Sequence, residues 1–396
     1  MISQFDPISN FIWILMIFVM MLLYPVLMLK QVVWRLEQSV NMIAGFTADA
    51  KRTIFRKIPN KKSEKELKEK INNFLEFFMI EPVNLDPYGI VKKLEHIIDL
   101  SEEKFKKFVQ SIVPNANEDF KANLGMSLSS AVSLYQIEKI VRHNVEMVKK
   151  TKNVQLGIIV QMQLPLIEKF SRALLYCTEA FVNGWPIGDS FGAAVAAKLI
   201  GNAKVKEVEA DTVMVRKKIK GKDVFIIKAK GPGGRLGKLG KTVEKLVKRH
   251  RIGKIITIDA SGKLEGEKTG TIAEGIGVAI GGAGVDRSYI ENIATSKGIP
   301  LDSYVVKMSH EEAITPMPME VYKAIDAVVE RVLENIAMSK GPIIVVGVGN
   351  TCGVGNDAEA VESVAPIVKK NAEMMKRREE EEKKKESSGW FRPFGF

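Results

Sequence analysis

Two aspartates stand where a carboxylate could do acid and base chemistry. Asp259 follows the apolar run KIITID directly, with Glu265 and Glu267 close behind. A carboxylate at the carboxyl end of a strand in a parallel sheet faces the crevice where such sheets bind ligands, although the same residue also suits a structural turn. Asp189 sits in the turn NGWPIGDS ahead of a small-residue helix, FGAAVAAKLI. It reads as a second crevice carboxylate or as a helix N-cap. His310, just past the strand YVVKMS, is expected at the same sheet edge. Asp189, Asp259 and His310 together could hold a divalent metal, or polarise water with His310 as proton acceptor. The competing role for this turn is Ser309 capping the next helix.

A second constellation is glycine-rich. GPGGRLGKLGKT places Gly237, Gly240, Lys241 and Thr242 as candidates for holding a nucleotide or phosphate. The phosphate-binding loop needs a glycine five residues before Gly240, where Arg235 stands, so the register misses by one. From Gly262 to Gly284 eight further glycines imply either close backbone approach to a ligand or a mobile loop. Cys352, in the turn after the last apolar run, is the outside candidate for a nucleophile, with no base in view. Basic residues are not interleaved with aromatics, so no specific nucleic-acid partner is expected.

These residues need a frame. The 396 residues are 46% hydrophobic and 27% charged, which suits a chain with a large core and excludes a mainly disordered or collagenous one. A formal charge of +12 fits an anionic neighbour, and two cysteines rule out a disulfide framework and suit a reducing compartment. No charge interrupts Pro7 to Leu29. A helix of that length, at about 1.5 Å per residue, crosses the roughly 30 Å hydrocarbon layer. It lacks the basic start and small-residue cleavage site of a signal peptide. Lys30, Arg35, Lys51, Arg52, Arg56 and Lys57 follow it and no Lys or Arg precedes it. The amino terminus is therefore expected outside the cell membrane and the main domain in the cytoplasm, with Trp13 and Trp34 as interfacial anchors.

Apolar stripes at helical spacing then predict a helical module to about Asn183: Leu67, Ile71, Leu75 and Phe78 after a capping box at Ser63 and Glu66; Phe105, Phe108, Val109 and Ile112; Leu134, Ile137, Val141, Val145 and Val148. Beyond it VFIIKAK, KIITIDAS, YVVKMS and PIIVVGVGN read as strands separated by helices. That alternation predicts a doubly wound, mostly parallel α/β sheet. The expected organisation is an anchor over 1–35, a juxtamembrane and helical module over 36–183, the α/β domain over 184–368, and a charged tail over 369–396 that ends in Trp390, Phe391, Phe394 and Phe396.

The order of GDSFGAAVAAKL, VFIIKAKGPGGRLGKLGKTVEKL, IITIDASGKLEGEKTGTI, VVKMSHEEAITPMPMEVYKAI and IIVVGVGN resembles the α/β fold of hydrogenase maturation proteases and spore germination proteases. The resemblance implies Asp189, Asp259 and His310 as the site of a protease-like hydrolase. With its anchor, helical module and AEGIGVAIGGAG segment, the whole chain resembles an archaeal single-pass membrane protein family whose function is unknown. The partners expected are the lipid bilayer through residues 7–29 and a protein or peptide. The alternatives are a non-catalytic ligand-binding or scaffold protein and a phosphate-binding protein using the glycine-rich turn over 233–242.

Overall fold

The computed structural model describes residues 7–59, 64–83 and 89–388. The uncharged run is the first half of one 51-residue helix, α1 (Pro7–Lys57), rather than a separate anchor. Every side chain from Phe11 to Leu27 is exposed, and burial starts with Val32 and Leu36. By length and composition this is the one described helix able to cross a membrane. Its second half joins α2 (Glu64–Phe74), α3 (Ile90–Ile112), α4 (Glu118–Thr151) and α5 (Val154–Asn183) around a core that includes Leu36, Ile43, Leu128, Leu134, Val148 and Leu164.

Local chemistry sets these helix ends. The Asn117 carboxamide oxygen accepts the Phe120 N–H at 2.7 Å to start α4, and Asn153 does the same for Leu156 at 3.1 Å to start α5. Gly184, at φ 65°, closes α5 in the left-handed region that glycine enters without strain. The segment CTEAFVNGWP thus begins as the last turns of a helix. The stripe expected to run through Phe78 stops as helix at Phe74, whose ring stacks on Phe108 at 3.9 Å. Ser63 of the expected capping box and the aromatic end at 390–396 lie outside the described residues.

The second layer is a seven-stranded sheet of order β1-β2-β3-β7-β4-β6-β5, formed by β1 (Lys206–Glu209), β2 (Thr212–Ile219), β3 (Lys222–Ala229), β4 (Lys254–Gly262), β5 (Ile272–Ile276), β6 (Leu301–Met308) and β7 (Ile343–Gly347). The central strands β3, β7, β4 and β6 are parallel, while β1, β2 and β5 pair antiparallel at the edges. The sheet is therefore mixed, which corrects the mostly parallel expectation. The missed strands are edge or near-edge strands whose residues alternate toward water, as in TVMVRKKI, and such strands lack the continuous apolar run of a buried one. A two-residue turn at Lys220 and Gly221, both at positive φ, joins β2 to β3.

Period-two alternation divides the central strands between two faces. Ile226, Ile256, Ile258 and Val345 pack under α6 (Phe191–Ile200) and α10 (Met319–Met338). Phe225, Ile227, Ile255 and Val346 pack under α7 (Leu239–Arg249) and α8 (Val285–Lys297). The short helix α9 (His310–Ile314) follows β6, and α11 (Ala358–Ser363) and α12 (Ala365–Ser388) close the chain. The mixed-sign tail is largely helical and docked: Arg378 makes a two-pronged pair with Glu179, and Glu382 accepts from Arg172 and Tyr176 of α5.

Candidate functional site

Glycines bring the two aspartates together. Asp189 lies in a single 3-10 turn, Gly188–Ser190, directly ahead of α6. At Gly192 a Cβ would stand 2.2 Å from the Ile258 carbonyl oxygen and 2.4 Å from that of Val348. A side chain there is excluded, so the start of α6 rests on β4 at Ile258 and on the chain just after β7 at Val348. Gly349, at φ 107°, meets the Asp189 backbone equally closely, with its Cβ position 1.9 Å from the Asp189 carbonyl oxygen. Asp259 reaches the same place from β4. Both carboxyl groups line one cavity of about 580 Å³, walled also by Ser261, Gly262, Gly281 to Asp286, Ser309 and His310.

Asp189 is therefore no helix cap. Its Oδ2 accepts the Asn350 N–H at 2.8 Å, a bond between the α6 turn and the loop after β7. Asp259 is 4% exposed, its Oδ1 accepting from Ala260 N–H at 2.7 Å and its Oδ2 from Gly281 N–H at 3.2 Å. Burial, and then the charge of Asp189, push the Asp259 carboxyl up to about 8, against the pull of its two N–H donors. Burial likewise raises Asp189, offset in part by Asn350. Two desolvated carboxyl groups at one cavity floor cannot both ionise cheaply near neutral pH.

His310 does not join them as a third ligand. It is exposed at the cavity wall, its ring about 3.8 Å from where a Cβ on Gly262 would stand, and it occupies the first position of α9. Among the described residues no group of three or more His, Cys, Asp or Glu side chains is disposed to hold a metal ion, which corrects the expected triad of Asp189, Asp259 and His310. Ser309 does cap α9: its Oγ accepts the Glu312 N–H at 3.1 Å while Glu312 accepts the Ser309 N–H at 2.7 Å. Cys352 is buried, and desolvation pushes its thiol up, away from the thiolate a nucleophile needs.

The glycine-rich turn over 233–242 uses its polar groups within the protein. Gly240 N–H donates to Asp286 Oδ1 at 2.7 Å, so a carboxylate of α8 takes the place a phosphate would want. Lys241 pairs with Glu95 at 2.7 Å, and Thr242 donates its hydroxyl to the Lys238 carbonyl at 3.0 Å. At Gly237, φ 70°, a Cβ would stand 2.7 Å from Thr212 Oγ1, so this glycine answers to packing against β2. These four positions form an internal joint between α7, α8 and the helical module.

Three further features were not expected. Glu95, Asp99 and Glu102 make an acidic stripe on α3 that roofs the cavity, with Lys238 held by Asp99 at 2.7 Å and Glu102 at 3.2 Å. Their spacing of four and three residues was a visible signal, but any solvated helix face shows it. The glycine-rich loop after β5 lies on the sheet through buried Val278, and Ala279 N–H donates to Thr257 and Ser303. That placement is what sets Gly281 N–H on Asp259. Lys228, at the end of β3, is fully buried, its ammonium donating to the Ala229 and Gly355 carbonyls and to Asn356 Oδ1 at 2.9 to 3.0 Å. Burial lowers it to about 7.

No curated protein and no solved structure matches the chain significantly. Residues 10–184 match the family description "Protein of unknown function (DUF1512) N-terminal domain", and residues 187–355 match "Domain of unknown function (DUF1512) C-terminal". Membrane-length helix, helical module and α/β layer thus fall under one family, and the chain belongs to the DUF1512 proteins.

Proposed function

We propose that the protein is a membrane-tethered hydrolase whose cavity cleaves an amide bond of a peptide substrate with Asp189 and Asp259 as its acid and base. The observation that carries this is the pair of desolvated carboxyl groups on one cavity floor, each with a raised affinity for a proton. Repulsion favours a state in which the pair shares one proton. The ionised partner accepts a proton from a water, the water oxygen attacks the carbonyl carbon, and the protonated partner donates to the carbonyl oxygen. Collapse of the tetrahedral species then passes a proton to the leaving amine and frees the acid. His310 and the glycines Gly281 and Gly282 line the space a peptide would enter. The order of the motifs resembles that of hydrogenase maturation and spore germination proteases, and that resemblance supports the same substrate class.

α1 would tether this domain, with residues 7–29 in the cell membrane and the positive charges after Lys30 holding the module on the cytoplasmic side. The exposed apolar surface from Phe11 to Leu27 supports that placement, since water would otherwise cover it. The test is turnover of a quenched fluorescent peptide library by the full chain in detergent or nanodiscs, from about pH 5 to pH 9. Cleavage that drops by about a hundredfold or more in both Asp189→Asn and Asp259→Asn supports the proposal. Absence of cleavage, or cleavage indifferent to both substitutions, rejects it and leaves a ligand-binding role for the cavity.

A further inference from the structure

The register of three helices puts one loop at the height of the membrane surface. At Gly157 of α5 a Cβ would stand 2.7 Å from Val32 of α1, and the Arg172 guanidinium of α5 lies 5.7 Å from the centre of the Phe46 ring of α1. Those contacts keep the same offset along both chains, so α1 and α5 run parallel. α4 runs the other way: Lys149 pairs with Glu37 at 2.7 Å, while Lys51 stands over Tyr135 further on. The turn between α4 and α5, residues 152–153 with the end of α4 before it, is thereby level with the stretch where α1 changes from exposed at Leu27 to buried at Val32.

Charge collects in that layer. Lys149 and Lys150 come from the last turn of α4, Lys152 from the connection to α5, and Lys30 and Arg35 from α1. Glu37 and Glu146 are both engaged by Lys149, whereas Lys30, Lys150 and Lys152 stand exposed. An ammonium at that height gains from the negative surface potential of an anionic leaflet, which decays within about 8 Å at physiological salt. We infer that the turn between α4 and α5 is a second membrane contact, in which Lys150 and Lys152, with Lys30, bind the phosphate groups of anionic phospholipids in the leaflet that α1 leaves. This rests on α1 spanning the bilayer. It also gives the helical module a fixed footing, because two points of contact hold a body against rotation where one helix would let it swing.

The experiment uses the full chain in nanodiscs that carry a photoactivatable phosphatidylglycerol with its reactive group near the headgroup, compared with the zwitterionic phosphatidylcholine equivalent. A second probe, reactive in the acyl chain, reports on residues 11–27. The expected result is labelling of residues 149–156 by the anionic headgroup probe, reduced about tenfold by zwitterionic lipid and by the double variant Lys150→Gln with Lys152→Asn. Asn is chosen at 152 because that residue has φ 53°, which Asn tolerates. Labelling of 11–27 without labelling of the turn overturns the inference and keeps the anchor. No labelling of 11–27 overturns the anchor itself, and labelling of the turn that ignores lipid charge overturns headgroup recognition.

Discussion

The charge of Asp189 raises the proton affinity of Asp259, although the two side chains come from different elements, one from the turn before α6 and the other from β4. A raised carboxyl pKa couples folding to pH in a defined direction. Below the unfolded value of 3.8 both states are protonated and the neutral group carries no penalty; between 3.8 and about 8 the unfolded chain loses a proton that folded Asp259 keeps. Stability from this group therefore falls as pH rises through that window, by up to about 1.4 kcal/mol per pH unit.

The two asparagine variants are expected to differ. Asp189 uses a single oxygen as acceptor, and an amide oxygen can replace it toward Asn350. Asp189→Asn should raise the thermal midpoint by several degrees at pH 7 to 8 and flatten its pH dependence. Asp259 accepts with both oxygens, so Asp259→Asn turns an NH2 toward Ala260 or Gly281 N–H and gives up much of that gain. Calorimetric midpoints across pH for the two variants check this; equal stabilisation by both would contradict it.

Glycine positions around the cavity should separate into two groups. Gly192→Ala forces a methyl into the carbonyls of Ile258 and Val348, and is expected to cost about 3 kcal/mol or to prevent folding. Gly281→Ala has open space within 4 Å and should leave stability within about 0.5 kcal/mol of the parent. Chemical denaturation curves of the two variants measure the difference.

Lys228 has the opposite pH sign to Asp259. Its folded pKa of about 7 lies below the unfolded 10.5, so the folded state holds fewer protons in between and its contribution to stability rises with pH from 7 to 10.5. Lys228→Met should remove that rise. It also leaves the Ala229 and Gly355 carbonyls and Asn356 Oδ1 without this donor, so a net loss of stability at pH 9 is expected alongside the flattened profile. Unfolding followed at pH 7, 8 and 9 tests both parts.

Because Asp286 occupies the Gly240 N–H, the turn over 233–242 should not bind phosphate. Isothermal titration with inorganic phosphate and with ATP is expected to give no heat of binding, and Lys241→Ala should change stability by less than about 1 kcal/mol, as befits a partly exposed ion pair. Saturable ATP binding that Lys241→Ala abolishes would reverse this conclusion.

Much of the frame was legible in the residues. The run over 7–29 specifies an apolar helix because no charge interrupts it, and KIITID and PIIVVG specify buried central strands because apolar residues fall on both of their faces. The small-residue run after Asp189 specifies a helix that can approach a sheet closely. Asp259 was expected just after its strand, whereas β4 runs on to Gly262 and holds it within the strand, one residue past the point where pairing with β7 stops. The edge strands β1 and β5 and the near-edge strand β2 were illegible because each exposes part of its length to water and lacks a continuous apolar run.

What only the tertiary structure decided is which groups meet. Periodicity is a property of neighbours along the chain, whereas burial, proton affinity and hydrogen-bond partnership depend on residues distant in sequence. Asp189 and Asp259 share a cavity because Gly192 and Gly349 let a turn from one part of the chain rest on β4 and on the loop after β7. The same long-range packing assigned Gly240 N–H to Asp286, left His310 at the cavity wall, and set the α3 carboxylates over the cavity. Residue types and spacing specified the elements and their candidate chemistry, and the packing of one element on another determined which carboxylates form a pair and which polar groups are already taken.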